Sequence, residues 1–234
     1  GLYPMGQNPA ELFGFRTGAR NLGALYVRSG AELDYESVNL FSFEVMVKDS
    51  AVPPLSGSAV VQVRVNNVNE NPAILSCGIS CPTVYENSAA GASVVNGRIN
   101  VIDPDANDVV TFSLSSVTVT MGNQRLILSP TDATWARRPF RIDGVTGQLF
   151  VHDNSALDFE TTSAGFELSV RAQDSATLYS ESLVQVAVLD VNEKPKFMTS
   201  AVTIFVDENS VSPMLVGSPF ASLDVDSGSV DRSW

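Results

Sequence analysis

The carboxylates of this chain come in short groups, and the groups recur in a fixed order. Leu33-Asp34-Tyr35-Glu36 precedes Asn67-Val68-Asn69-Glu70-Asn71, and about 124 residues further on Leu157-Asp158-Phe159-Glu160 precedes Asp190-Val191-Asn192-Glu193-Lys194. Tyr85-Glu86-Asn87 and Asp103-Pro104-Asp105 likewise have counterparts in Asp207-Glu208-Asn209 and Asp224-Val225-Asp226. Grouped carboxylates repel one another unless they are protonated, separated or metal-bound. A mixed set of Asp, Glu and neutral Asn oxygens on turns suits a hard divalent cation such as calcium, which takes about six to eight oxygen ligands.

The spacing sorts these residues into two joints. At the first, Asp34 and Glu36 meet Asn69, Glu70 and Asn71 of a linker, with Asp103, Asp105 and Asp174 contributed from beyond it. At the second, Glu86, Asp158 and Glu160 converge with Asp190, Asn192 and Glu193, and with Asp224 and Asp226. On an extended chain the i and i+2 carboxylates of Asp34-Tyr35-Glu36 and Asp158-Phe159-Glu160 point the same way while the aromatic between them turns inward. Pro104, with its fixed φ, stiffens the Asp103–Asp105 turn. A cation held from both sides of such a linker would fix the angle between the modules that flank it.

A repeat of this length implies modules in series, each of roughly 100 to 125 residues. Apolar and β-branched residues come in short runs separated by Gly, Pro, Asp and Asn, with no long 3.6-residue stripe, which reads as all-β. In the middle module the expected strands are Thr83–Glu86, Arg98–Ile102, Val109–Leu114, Gln148–His152, Phe166–Ala172 and Leu183–Leu189. The alternation in Phe166–Ala172 is that of a sheet with one face in the core, and two such sheets make a sandwich. Residues 1–66 form the later part of one module, 67–72 a linker, 73–189 a whole module, 190–195 a second linker and 196–234 the opening of a third, with Ala201–Val206 as its first strand. Gly1–Asn21 matches nothing in the middle copy. The middle module carries an insertion near 116–141, read as an added hairpin and a polar loop with Trp135, Arg137 and Arg138. Its bland reading is a decoration whose Trp covers a sheet edge; the other is a lateral protein contact, where Trp and Arg are enriched.

Composition narrows the function. Fourteen Lys and Arg against 26 Asp and Glu give a formal charge of -12, and without a basic stripe nucleic acid is not an expected partner. No apolar run reaches the 18 or so residues that span a bilayer, and no signal peptide opens the chain, so any anchor or export signal is expected outside it. Cys77 and Cys81 suit a small disulfide-closed loop, with two buried thiols or half of a zinc site as alternatives. There is no Asn-x-Ser/Thr glycosylation acceptor. His152 and Asp153 have no positioned nucleophile, the acidic pairs are better explained by a cation than by glycosidic chemistry, and no phosphate or dinucleotide loop is present. No enzyme is expected.

The ordered motifs strongly resemble the extracellular cadherin repeat family. The Leu-Asp-aromatic-Glu turns, Asp103-Pro104-Asp105, Ala172-Gln173-Asp174 and the two linkers carry the likeness, over nearly the whole chain. It implies seven-stranded Greek-key β-sandwiches in tandem, with up to three calcium ions at each joint. Carried over by position, Glu86, Asp158 and Glu160 serve the second joint and Asp103, Asp105 and Asp174 the first, Asn107 supplies a carbonyl oxygen, Glu208 faces a third joint and Asp49 one before the first. Asn67 stands where the family usually has aspartate, Glu70 and Glu193 are longer than the usual Asp, and Lys194 replaces an Asn and is left to contribute its backbone carbonyl. The implied role is calcium-dependent adhesion by an extracellular or cell-surface protein. Its partners would be other cadherin-like repeats or extracellular proteins, in homophilic or heterophilic contact. The rival is a calcium-rigidified strut of an extracellular filament, matrix or appendage.

Overall fold

The computed structural model describes residues 4, 7–18, 23–162, 165–217 and 222–226. Residues 1–3, 5–6, 19–22, 163–164, 218–221 and 227–234 lie outside the described residues. The chain divides into two compact units, Gly1–Asn71 with Asp103–Asp108, and Pro72–Ile102 with Val109–Trp234.

In the first unit a single helical turn, α1 (Pro9–Leu12), starts at Asn8, whose side chain accepts the Ala10 N–H at 3.1 Å. It leads into β1 (Phe13–Thr17), which pairs antiparallel with β2 (Gly23–Val27), so part of the stretch that matched nothing in sequence completes a hairpin. Glycine is required here by close approach: a Cβ on Gly14 would fall 2.4 Å from the Tyr26 ring, and one on Gly23 2.3 Å from that of Phe15. β3 (Leu40–Lys48) and β4 (Ser56–Arg64) form a long antiparallel ribbon with Phe41 opposite Val63. Phe41, Leu12 and Phe13 are buried together, and the rings of Phe13 and Phe41 meet edge to face at 5.2 Å.

The second unit holds β5 (Ala73–Ile74), β6 (Thr83–Tyr85), β7 (Ser93–Arg98), β8 (Val101–Ile102), β9 (Thr111–Met121), β10 (Gln124–Leu128), β11 (Phe140–Ile142) and β12 (Gln148–Val151). A helical turn α2 (Phe159–Thr162), then β13 (Phe166–Gln173), β14 (Tyr179–Leu189), β15 (Lys196–Phe197) and β16 (Ser222–Leu223) follow. Eight strands make one ladder in the order β10-β9-β13-β14-β6-β7-β12-β11. β6 is the fold line, parallel to β14 through Val84 and Val188 and antiparallel to β7 through Thr83 and Val95. The two halves close over a single core in which Phe140, Leu149, Val151, Phe166, Leu168 and Val170 are all buried. This is the all-β sandwich expected from sequence. β10 adds an eighth strand to the seven implied by the resemblance.

Alternation decides which residues fill that core. Phe166, Leu168, Val170 and Ala172 of β13 are buried in strict turn, and the Phe140 and Phe166 rings meet edge to face at 5.1 Å. On β9 the period breaks: Leu114 is buried, then Val117 and Val119, because the register with β13 shifts between Ser169 and Val170. The Ser115 hydroxyl at this bulge donates to the Ser169 Oγ at 2.8 Å. A bulge inserts one residue and flips the faces beyond it, which is why the sequence pattern split β9 in two. The hairpin is therefore no appendage; one strand runs from Thr111 to Met121 and turns directly into β10.

Trp135 lies in a short 3-10 turn (Ala133–Arg137) and packs against the core. The Arg138 guanidinium sits 4.8 Å from its ring centre and donates to the Trp135 carbonyl at 3.1 Å, whereas Arg137 is exposed. Cys77 and Cys81 are joined by a disulfide.

The third copy opens as the second does, since β15 pairs with β16 as β5 pairs with β8. Ala201–Val206 departs from expectation, for these residues form no strand. An apolar β-branched run becomes a strand only where another backbone accepts and donates its hydrogen bonds; β6, its counterpart, has β14 and β7.

Truncating Leu168, wholly buried, to alanine is expected to cost about 2–5 kcal/mol. Val145→Ala, at an exposed site, should stay within about 0.5 kcal/mol. Denaturant titration of both variants measures the contrast.

Candidate metal centre

Glu86 stands one residue beyond β6 and is buried. Its Oε2 accepts the Phe159 N–H at 2.8 Å and its Oε1 the Val191 N–H at 2.7 Å, while its own N–H donates to the Leu189 carbonyl at 2.9 Å. One carboxylate thus ties the Leu157–Glu160 turn to the start of the second linker. Around it Glu86, Glu160, Asp190 and Asp226 each offer an oxygen, all within 4.8 Å of one another.

The linker is held from its other side by the Asp-x-Asp turn. Asp226 Oδ2 accepts the Glu193 N–H at 2.6 Å, and the Asp226 N–H donates to Asp224 Oδ1 at 3.2 Å. Glu193 also accepts from Asn87 Nδ2 at 2.7 Å. In the motif Tyr85-Glu86-Asn87 the asparagine carries no signal of this contact. Asn192 and Lys194 are exposed, so the lysine side chain stands in water. Asp158 departs from the expected extended geometry: it immediately precedes α2, where its Oδ1 accepts the Thr161 N–H at 2.9 Å, and its carbonyl takes the Thr162 N–H and hydroxyl. In a helical turn i and i+2 side chains do not share a face. Accordingly Glu160, and not Asp158, joins the four-carboxylate group.

The first unit repeats the same construction. Asp105, buried, accepts from Asn67 Nδ2 at 2.6 Å and from the Glu70 N–H at 2.7 Å. Its N–H donates to Asp103 Oδ1 at 3.0 Å. Asp105 therefore does for Glu70 what Asp226 does for Glu193. Asp103, Asp105 and Asp108 bring oxygens within 4.8 Å of one another. Asp108 lies outside the motifs that carry the resemblance, although the Asp-x-Asp-x-x-Asp spacing contains it. Asn107 beside it has φ 76°, a left-handed conformation that asparagine tolerates. Asp34 accepts from the Ser37 N–H at 2.9 Å and hydroxyl at 2.7 Å in a turn, so the first Asp-aromatic-Glu is not extended either. Asn69 is half-buried, and Glu36 and Asn71 are exposed.

Asp174 in the second unit is buried at the end of β13, where its Oδ1 accepts the Leu178 N–H at 2.9 Å. Asp49 closes the β3–β4 turn in the same way, through the Leu55 N–H at 2.8 Å. Glu208 is exposed on the 207–210 turn. His152 faces the Ala136 carbonyl at 3.2 Å.

The charges at these centres are under mutual pressure. Desolvation, then Asp226 and Glu86, push the Asp190 carboxyl above its ordinary value. Glu160 is drawn down by its own N–H, yet desolvation and the charges of Glu86, Glu193 and Asp158 leave it raised. Glu70 is raised by desolvation and by Glu36, Asp105, Asp34 and Asp103. Asp34 is lowered by the Ser37 hydroxyl and N–H. Asp226 Oδ1 is buried with no hydrogen-bond partner among the described residues. A buried acceptor left over inside a ring of carboxylates fits a hard cation, whose charge relieves the repulsion and whose coordination uses the spare lone pairs.

Tandem β-sandwich modules with carboxylate clusters at the ends of their strands define a class, and comparison with known proteins names it. No protein-family model matches the chain. It is similar to protocadherin alpha-8 of Pan troglodytes, 31% identical over 196 residues that cover 82% of this chain and 18% of that protein. In structure it is similar to the protocadherin gammaB4 extracellular domain, with 26% identity and a TM-score of 0.57 over 93% of this chain and 33% of that one. It is also similar to the EC3-6 cis-dimer structure of protocadherin gammaB7, with 23% identity and a TM-score of 0.61 over 93% and 49%. The chain belongs to the cadherin repeat family. It spans less than a fifth of the length of the curated protocadherin it matches.

Replacing Glu86 by alanine removes the acceptor of the Phe159 and Val191 N–H groups in two part-buried hydrogen bonds, and a hydrogen bond to a charged group is worth about 1.5–3 kcal/mol. Denaturation should show that loss, and Glu86→Gln, which keeps one acceptor oxygen, should show less. Raised carboxyls contribute stability that is fully present below their unfolded pKa and is lost as pH rises through the folded one. With chelator present, the melting temperature is therefore expected to rise on acidification from neutral towards the ordinary carboxylate range. It should fall again as pH passes through the depressed Asp34 pKa. Excess calcium should reverse the first trend, because protons then compete with the cation.

Proposed function

We propose that this chain is a segment of an extracellular adhesion protein whose tandem repeats are rigidified by calcium at their joints. The observation that carries the reading is the Glu86, Glu160, Asp190 and Asp226 group around a buried, unbonded Asp226 oxygen. Carboxylates compressed in this way store repulsion that a divalent cation converts into attraction. The joints we assign are 67–72 and 190–195, flanked by a partial repeat (1–66), a whole repeat (73–189) and a second partial repeat (196–234).

At the second joint Glu86, Glu160, Asp190 and Asp226 would hold calcium, with Asp158, Asn192, Glu193, Lys194 and Asp224 at its margin. At the first, Asp34, Glu36, Asn67, Asn69, Glu70, Asn71, Asp103, Asp105 and Asp108 would do so, with Asn107 as a carbonyl donor. The resemblance gives up to three ions for each joint. Calcium supplies the positive charge; the chain supplies the geometry, because Glu86 and the two Asp-x-Asp turns already hold each linker by its backbone N–H groups. A segment locked in this way resists bending and transmits force along its length, which adhesion through a line of repeats requires. The protocadherin likeness favours contact with other cadherin repeats, and an extracellular or cell-surface location where millimolar calcium is available.

Calorimetry should detect calcium uptake, and Asp190→Asn should weaken it by about tenfold or more, since affinity follows the ligand charge count. Binding to the folded state alone stabilises that state, so chelation should speed protease cleavage within 67–71 and 190–194 and broaden the scattering envelope. Equal cleavage and equal scattering in both conditions would count against the reading. Aggregation of beads coated with the chain tests adhesion; lateral polymers without bead aggregation would support the filament role instead.

A further inference from the structure

The eight-stranded ladder of the second unit ends in two strands, β10 and β11, and they are protected unequally. β11 is three residues long, short enough to blunt an edge. β10 is five residues long, and among the described residues it pairs with β9 alone. Its register with β9 runs without a bulge from Gln124 to Leu128, and it contains no proline. Arg125, the one charged residue between Val109 and Thr131, is engaged by Glu167 at 2.6 Å. Free charge, proline, bulges and shortness are the devices that keep sheet edges from pairing with other chains, and β10 has none of them.

The turn determines which main-chain groups face outward. Gly122, at φ 56°, and Asn123 form a two-residue hairpin turn, so Met121 and Gln124 exchange both of their hydrogen bonds and the pairs alternate from there. Gln124, Leu126 and Leu128 therefore bond to β9, while the N–H and C=O groups of Arg125 and Ile127 point away from it. The next outward N–H, that of Ser129, is already given to Asp132 Oδ2 at 2.8 Å. Two donors and two acceptors thus stand free, placed evenly on either side of Leu126. Leu126 itself is 53% exposed, although its pair partner Val119 and its neighbour Leu128 on the same face are buried.

We propose that β10 pairs antiparallel with β10 of a second copy of this chain, across a two-fold axis at Leu126. Arg125 of each copy exchanges both main-chain bonds with Ile127 of the other, and the two Leu126 side chains cover one another as a non-hydrogen-bonded pair. This register alone uses all four groups. Centring on Arg125 would set Ile127 against the turn, and centring on Ile127 would set Arg125 against the occupied Ser129 N–H. Charge favours a second copy here as well: each chain carries -12, and between Val109 and Thr131 there is no acidic residue to repel its twin. The same patch serves both copies, so the contact is isologous and closes at a dimer. A five-residue strand spans about 17 Å, which puts the contact at the small, transient end of specific interfaces. None of these residues belongs to either carboxylate group, so the contact is separate from the calcium reading.

Sedimentation of the chain in calcium, carried up to about 1 mM to register a weak contact, is expected to show a mass that rises with concentration and levels at two chains. Leu126→Glu sets two carboxylates against each other on the axis and should lower the association constant at least about tenfold. Its melting temperature should stay with that of the wild type, because the edge position faces solvent. Leu126→Lys should behave likewise, and an equimolar mixture of the two variants should associate again. Cysteine replacement reads the register. Cα atoms of a non-hydrogen-bonded pair are about 4.5 Å apart, within disulfide reach, so Leu126→Cys should oxidise to covalent dimers while Ile127→Cys does not. A wild type that stays monomeric, a mass that climbs past two chains, a mixture no better than its components, or equal cross-linking of both cysteine variants would each overturn the proposal. Calcium uptake by the wild type and by Leu126→Glu, read by calorimetry, reports separately on the proposed function.

Discussion

Much of this molecule hangs on one buried carboxylate. Glu86 lies where β6 ends, and its two oxygens take one backbone N–H from the Leu157–Glu160 turn and another from the linker after β14. A buried anion is tolerated only when its lone pairs are satisfied, and here the satisfying groups belong to two loops far apart in sequence. Satisfying Glu86 therefore places Asp190 and Glu160 beside it, and with Asp226 as the fourth member the carboxylates come under mutual repulsion that raises Asp190. The hydrogen bonds that seat Glu86 thus also bring the acidic group together.

The sandwich is the frame that makes this possible. β6 stitches the two halves of the ladder by pairing with β14 and β7, so the residue that follows it emerges between both layers. The Asp-x-Asp turns act from the opposite side of each linker: Asp105 grips Glu70 and Asp226 grips Glu193, each through a single backbone N–H. Linkers so held need no regular structure of their own. Of their glutamates, Glu70 is exposed, while Glu193 is half-buried and accepts from Asn87.

Repetition in the structure goes deeper than repetition in the motifs. β15 and β16 reproduce β5 and β8, Asp49 and Asp174 close equivalent turns, and Phe41 and Phe166 are the buried aromatics of equivalent strands. Ala201–Val206 has strand composition, yet the described residues give it no strand.

The sequence by itself determined the period, the all-β class, the alternating strands such as Phe166–Gln173, and the residue types at the joints, because each of these is a local signal. An alternating run buries one face wherever it lies, and the Asp-x-Asp and linker motifs announce their oxygens without reference to neighbours. Only the tertiary structure decided which oxygens meet. Asp158 and Glu160 differ in role because a helical turn separates side chains that an extended chain would align. Asp108 joins Asp103 and Asp105 because the turn after Pro104 folds back, and Asn87 finds Glu193 across more than a hundred residues of chain. The bulge at Ser115, which merges two expected strands into β9, was hidden for the same reason: it is set by the partner strand, and a partner strand has no signature in the residues it pairs with.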